Sequence, residues 1–265
     1  VFKGEMLYQQ DKNKYIEELH TPAMRVVREI IAAMKNDCIK VVSNLIPIFN
    51  GHISDKSTDM RDLVLQFFGD LVYWASEATD DEIKRNTFIL AKDAIEKRKS
   101  AIGFGCIKQL AIKSPNIIQG NLEELLVLIK NQLVINEETP TELLQSIQDN
   151  AESALAMIAM NILKENFPIN DFLQIALNKM PAQLEVEENN DHISFFFWLF
   201  QRAGALSIQE QNLPFFAAVP IRLFSDPIDQ LEDYCVSPEN VTNMQNILKQ
   251  FAHSIPNFEN FVKET

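Results

Sequence analysis

Helical segments begin near Asp37, Thr79, Gly120, Ile169 and Asn212, at intervals of about 41 to 49 residues. Each is followed by a second segment, roughly 59–76, 97–113, 140–165, 187–206 and 237–255. One such pair cannot bury its apolar stripe alone, so neighbouring pairs must stack to close a continuous core. This recurrence predicts an all-α fold of antiparallel helix pairs joined by short connections. The approximate repeats are 37–78, 79–119, 120–168, 169–211 and 212–256, in a single array over 1–265. A partial repeat precedes residue 37, with 13–36 as its second helix, and 257–265 begin another helix in which Phe258, Phe261 and Val262 form an apolar seam or a cap.

Local signals agree with the period. Leu122, Leu125, Leu126, Ile129 and Leu133 share one helical face behind Asn121, with Glu123 and Glu124 at the favourable dipole end. Thr139-Pro140-Thr141-Glu142 reads as a helix start ahead of Leu155, Ile158, Ile162 and Leu163. Only seven of the 265 residues are glycine, against an average of about 7%. That scarcity argues against glycine-rich phosphate loops and turn-dense β-sandwiches. The start, Val1-Phe2-Lys3-Gly4-Glu5, has no initiator Met and no signal-peptide pattern, and reads as an excised piece of a longer chain.

Charge narrows the partners. There are 37 acidic and 24 basic residues, a net of −13, with a mean hydropathy of −0.09 that suits a folded chain. Phosphate backbones and anionic membrane surfaces repel such a chain, and basic proteins complement it. Cys38, Cys106 and Cys235 are odd in number and far apart, which fits a reducing compartment without a disulfide framework. No apolar run has the length of a membrane span.

No catalytic or metal motif stands out. His20, His52, His192 and His253 lie in four different units, without HExxH or paired CxxC, and no GxSxG elbow is present. The expectation is no enzyme, no cofactor and no metal; an enzyme would require a buried cluster of convergent titratable groups. Gly103 and Gly105, inside the helix that Arg98–Cys106 opens, read as sites of close helix approach. Trp74 and Trp198 read as fillers of the seam between repeats, with gripping of lysine stems as the functional alternative.

The acidic residues are the candidate site. Glu142, Asp149 and Glu152 fall near one face of a single second helix, and Glu185, Glu187, Glu188 and Asp191 enter the next. Lining a concave surface, they would focus potential on a basic partner. The alternative is a solvated face that only keeps the chain soluble.

The period, together with Arg98–Cys106, resembles HEAT repeats of the importin-beta (karyopherin-beta) superfamily, and within it the carboxy-terminal repeats of the importin-five (karyopherin beta three) branch. Asp149-Asn150-Ala151 followed by Ala154 and Ile158, then Leu177, Met180-Pro181 and Glu187-Glu188, then Asn212-Leu213-Pro214, run in the family's order. The resemblance implies a right-handed α-α superhelix, a HEAT-repeat solenoid, serving as a nuclear transport receptor that shuttles between cytoplasm and nucleus. Its implied partners are basic cargo (nuclear-localisation signals, ribosomal proteins or histones), phenylalanine-glycine nucleoporins and Ran-GTP, the last mainly through repeats outside this chain. Glu142, Asp149, Glu152, Glu188 and Asp191 are then the cargo-binding candidates. The competing expectation is a HEAT scaffold outside transport, which holds its partners constitutively.

Overall fold

The computed structural model describes residues 21–136, 141–204, 212–225, 236–255, 258 and 262–263. Among these there is no strand, and ten helices of eight residues or more. They are α1 Thr21–Met34, α2 Thr58–Trp74, α3 Asp81–Arg98, α4 Ala101–Lys113, α5 Leu122–Leu133, α6 Glu142–Met157, α7 Ile169–Lys179, α8 Asn189–Ala203, α9 Leu213–Leu223 and α10 Pro238–Ser254. The chain divides into two compact units between Leu122 and Glu123. Residues 13–20, Thr139-Pro140, Cys235, His20, Phe261 and most of 257–265 lie outside the described residues.

In the first unit α2 is central and packs against α1, α3 and α4. It buries Met60, Leu63, Val64, Leu65, Phe67, Phe68, Leu71 and Val72. Large apolar side chains removed from water in this way contribute about 1.5–3 kcal/mol each. The Phe49 ring stacks on Phe67 at 4.4 Å between centroids. Three helices start on side-chain caps: Ser57 Oγ accepts the Met60 N–H, Asp80 Oδ1 the Ile83 N–H, and Ser100 Oγ the Gly103 N–H.

Two departures from the expected segments have local causes. The helix expected from Asp37 is instead a run of short turns, Lys35–Cys38, Ile39–Val42, Ser43–Leu45 and Ile46–Gly51. Lys35 takes a φ of 50°, which ends α1, and Pro47 lacks the N–H that a continuing ladder needs. Likewise, no helix runs through 97–113. Lys99 adopts a left-handed conformation, its N–H reaching Ile95 O and the Ser100 N–H reaching Ala94 O, so α3 closes before α4 begins.

The α3–α4 contact requires Gly103. A Cβ there would lie 2.8 Å from Ile95 Cγ1 and 2.9 Å from the Ala91 carbonyl oxygen, and Ala91 O is backbone that cannot swing aside. A Cβ on Gly69 of α2 would lie 2.7 Å from Cys106 Sγ and 2.6 Å from Gln109 Oε1, both side-chain atoms of α4. Gly103→Ala gains about 1 kcal/mol of helix propensity but overpacks the contact by about 1–3 kcal/mol. A net loss of about 1 kcal/mol is expected, read as a lower urea midpoint.

In the second unit α6 packs against α7 and α8, α7 also against α8 and α9, and α9 against α10. Phe167 gathers Phe172, Phe195 and Trp198 around it, with ring centroids 5.6–5.9 Å apart. Phe200 meets both Phe216 and Phe251. Trp198 therefore packs in a seam, with the Arg202 guanidinium 5.0 Å from its ring centre. Trp74 differs: it is 39% exposed and meets Tyr73 edge-on.

Side-chain bonds in both units join residues about one helix pair apart. In the first, Arg28 Nε donates to Asp70 Oδ2 at 2.6 Å (42 residues on), Arg98 to Asp62 (36) and the Cys106 thiol to Leu65 O (41). In the second, Arg202 donates to Glu165 (37), Gln174 to Asn212 (38) and His192 to Asp149 O (43).

Candidate functional site

Thr141 caps α6 by accepting the Leu144 N–H at 3.2 Å, which starts the helix where the sequence places it. From there Gln145, Gln148, Asp149 and Glu152 follow at three- and four-residue spacing, so they share the face turned toward α7 and α8. The segment between α7 and α8, which contains a cis Met180–Pro181 bond, is non-helical over 180–185, so its N–H groups need partners from elsewhere.

Asp149 provides them. Its carboxylate accepts the backbone N–H of Gln183 at 3.1 and 3.2 Å, of Leu184 at 2.8 Å and of Glu185 at 3.0 Å. The Asn189 side chain accepts the Ala182 N–H at 2.8 Å, and Ser146 donates to the Glu185 carboxylate. The Asp149 carbonyl accepts from His192 at 3.0 Å. A carbonyl only accepts, so Nε2 of His192 carries the proton. Burial pushes the His192 pKa below its ordinary value, against the opposing pull of Asp149, and keeps the ring neutral.

One turn beyond Asp149, Glu152 is fully buried, and neither carboxylate oxygen has a hydrogen-bond partner among the described residues. Burial, and then the neighbouring Asp149 charge, push its pKa well above the ordinary glutamate range; Lys179 and Arg222 pull the other way.

Beside these residues lies a cavity of about 270 Å³. Gln145, Gln148 and Asp149 line it from α6, and Asn178 and Lys179 from the end of α7. Gln183 from the loop and Arg222 from α9 complete the wall. Lys179 Nζ donates to Ile135 O at 3.0 Å and Asn136 Oδ1 at 3.1 Å. Arg222 Nη1 donates to the carbonyls of Leu177, Asn178 and Met180 at 3.2, 3.1 and 2.6 Å, closing the end of α7. Burial lowers the pKa of both cations, and Glu152 opposes that shift.

The acidic face expected on α6 is therefore corrected. Glu142 is exposed in the first turn, but Asp149 and Glu152 are 2% and 0% exposed. The seven- and three-residue spacing does align residues, yet the face on which Asp149 and Glu152 lie is the packed one. Asp149 organises a loop, and Glu152 is enclosed. Glu188 and Asp191 lie half-buried where α8 begins, close enough to His192 for their charges to act on it.

Sequence reasoning missed Lys179, Arg222 and the glutamines. Arg222 carried a signal, being the one ionisable residue in Leu213–Leu223. Glu152 carried another: it is the one ionisable residue between Ala151 and Ala159, a stretch of small and apolar side chains too uniform to hold a polar face. Among the described residues, no group of three or more His, Cys, Asp or Glu is placed to hold a metal ion. No helix among them is long and apolar enough to cross a membrane.

Comparison with protein-family models, curated proteins and solved structures gives no match.

Proposed function

We propose that this chain is a HEAT-type helical-repeat arm that binds basic proteins, and that it serves as the carboxy-terminal part of an importin-beta-like nuclear transport receptor. One observation carries the reading: within each unit, side chains bond partners 36–43 residues away, the spacing of one helix pair onto the next. Stacking of that kind suits a right-handed α-α superhelix. The net charge of −13 supports a basic partner.

Under this reading the chain performs no catalysis and uses no cofactor. Basic cargo such as nuclear-localisation signals, ribosomal proteins or histones is captured by long-range attraction, and Glu142, Glu188 and Asp191 contribute contacts. Asp149 holds the loop that leads into Glu188 and Asp191, and the enclosed Glu152 makes no contact with cargo. Phenylalanine-glycine nucleoporins carry the receptor through the pore, and Ran-GTP, acting mainly through other repeats of the receptor, releases cargo in the nucleus.

Exposed ion pairs contribute only about 0–1 kcal/mol each, so selectivity comes from several acting together. Replacing Glu142, Glu188 and Asp191 together by their amides is expected to weaken binding of a labelled nuclear-localisation peptide about tenfold in low salt, with a smaller effect at high salt. Unchanged affinity at both salt concentrations would place the cargo surface elsewhere.

A further inference from the structure

We propose that the cavity between α6, α7 and α9 binds a small oxyanion, a phosphate or a carboxylate, between Lys179 and Arg222. Lys179 and Arg222 both face the cavity, and among the described residues every hydrogen bond they make goes to a neutral oxygen. Neither has a carboxylate within ion-pair distance among the described residues. Arg222 uses Nη1 for all three bonds it makes to the described residues, and none of these engages Nε or Nη2. Lys179 has donated two of its three protons.

The negative charge in the wall is already engaged. Among the described residues Asp149 is its one carboxylate, and that group is held by the N–H groups of Gln183, Leu184 and Glu185. The remaining lining side chains are carboxamides: Gln148 spends its N–H₂ group on Gln132 O and Ile135 O and Gln183 donates once to Pro181 O, which leaves the Gln145 and Asn178 amides and the second Gln183 N–H to turn toward an anion. Among the described residues every lining side chain ends in a polar or charged group, with aliphatic stems forming part of the wall, so a ligand's charge is met by these ends.

Glu152 sets the sign of the field behind the wall. Burial and the Asp149 charge favour its neutral form, and Lys179 and Arg222 pull toward the ionised one. While it is neutral, two cations outnumber Asp149. Ionising Glu152 balances them, so the affinity for an anion falls as pH rises. This inference does not rest on the transport reading.

The test is an NMR titration of the chain with inorganic phosphate and, separately, with acetate, at ionic strength held constant with sodium chloride. Saturable shifts of the Gln145 and Gln183 side-chain amides are expected. Saturation by phosphate alone, by acetate alone or by both identifies the class of anion the site takes. Lys179→Gln is expected to weaken binding at least about tenfold. Gln145→Glu, which adds a negative group to the wall at a partly exposed position, is expected to do the same, with the rest of the spectrum unchanged. The proposal is overturned if neither anion gives saturable shifts at these amides, or if both variants bind with the affinity of the parent chain.

Discussion

Asp149→Ala is expected to cost about 2–4 kcal/mol, read as a fall in the urea midpoint. The carboxylate it removes accepts three backbone N–H groups from a loop that has no ladder of its own. A charged acceptor contributes more to each such bond than a neutral one, and the alanine leaves only water to satisfy them. Asp149→Asn is expected to fall between, since the amide keeps one acceptor oxygen but turns an N–H₂ group toward the loop. A midpoint unchanged by Asp149→Ala would mean that the loop is held by Asn189 and Ser146 alone.

Glu152→Gln is expected to act in the opposite direction, stabilising the protein at pH 8 by about 1–3 kcal/mol. The sign follows from linkage. The unfolded carboxyl titrates near 4.5, and in the folded protein its pKa is raised by burial. Between those two values the folded state holds a proton that the unfolded state has lost, so stability falls as pH rises through that window. The amide has nothing to titrate. His192 contributes the reverse slope: its folded pKa lies below the ordinary 6.5, so stability falls as pH drops below that value. In Glu152→Gln the glutamate slope is gone while the histidine slope remains, so between pH 8 and pH 5 the variant should lose stability relative to the parent. Urea midpoints at pH 5, 6.5 and 8 check both statements. A parent protein with equal stability to the variant at all three values would show that Glu152 is not enclosed.

The sequence read most clearly where one residue's local preference set the outcome. Thr141 caps α6, Pro214 lies in the first turn of α9, and Gly103 lies where two helices touch. Each follows from helix-end chemistry or from the volume of a side chain. The broken stretch over 35–51 was harder, because its apolar pattern is helical while Lys35 and Pro47 act on the backbone. Lys99 hid the boundary between α3 and α4 for a related reason: a lysine occupies a left-handed position where glycine is the usual marker.

The candidate site was legible only in part. Periodicity aligns Asp149 with Glu152 but does not say which face of α6 is packed, and that choice depends on α7 and α8. Arg222 meets the carbonyls of α7 from 42 to 45 residues away. No local spacing rule reaches that far. The proximity of Lys179 and Arg222 is likewise a product of tertiary packing.

The most direct test of the transport reading is capture of labelled basic nuclear proteins by the full-length protein, with and without Ran loaded with a non-hydrolysable GTP analogue. The account predicts capture in its absence and release in its presence. Absence of capture, or cargo held equally with and without Ran, would contradict it, and the second result would point to a constitutive scaffold.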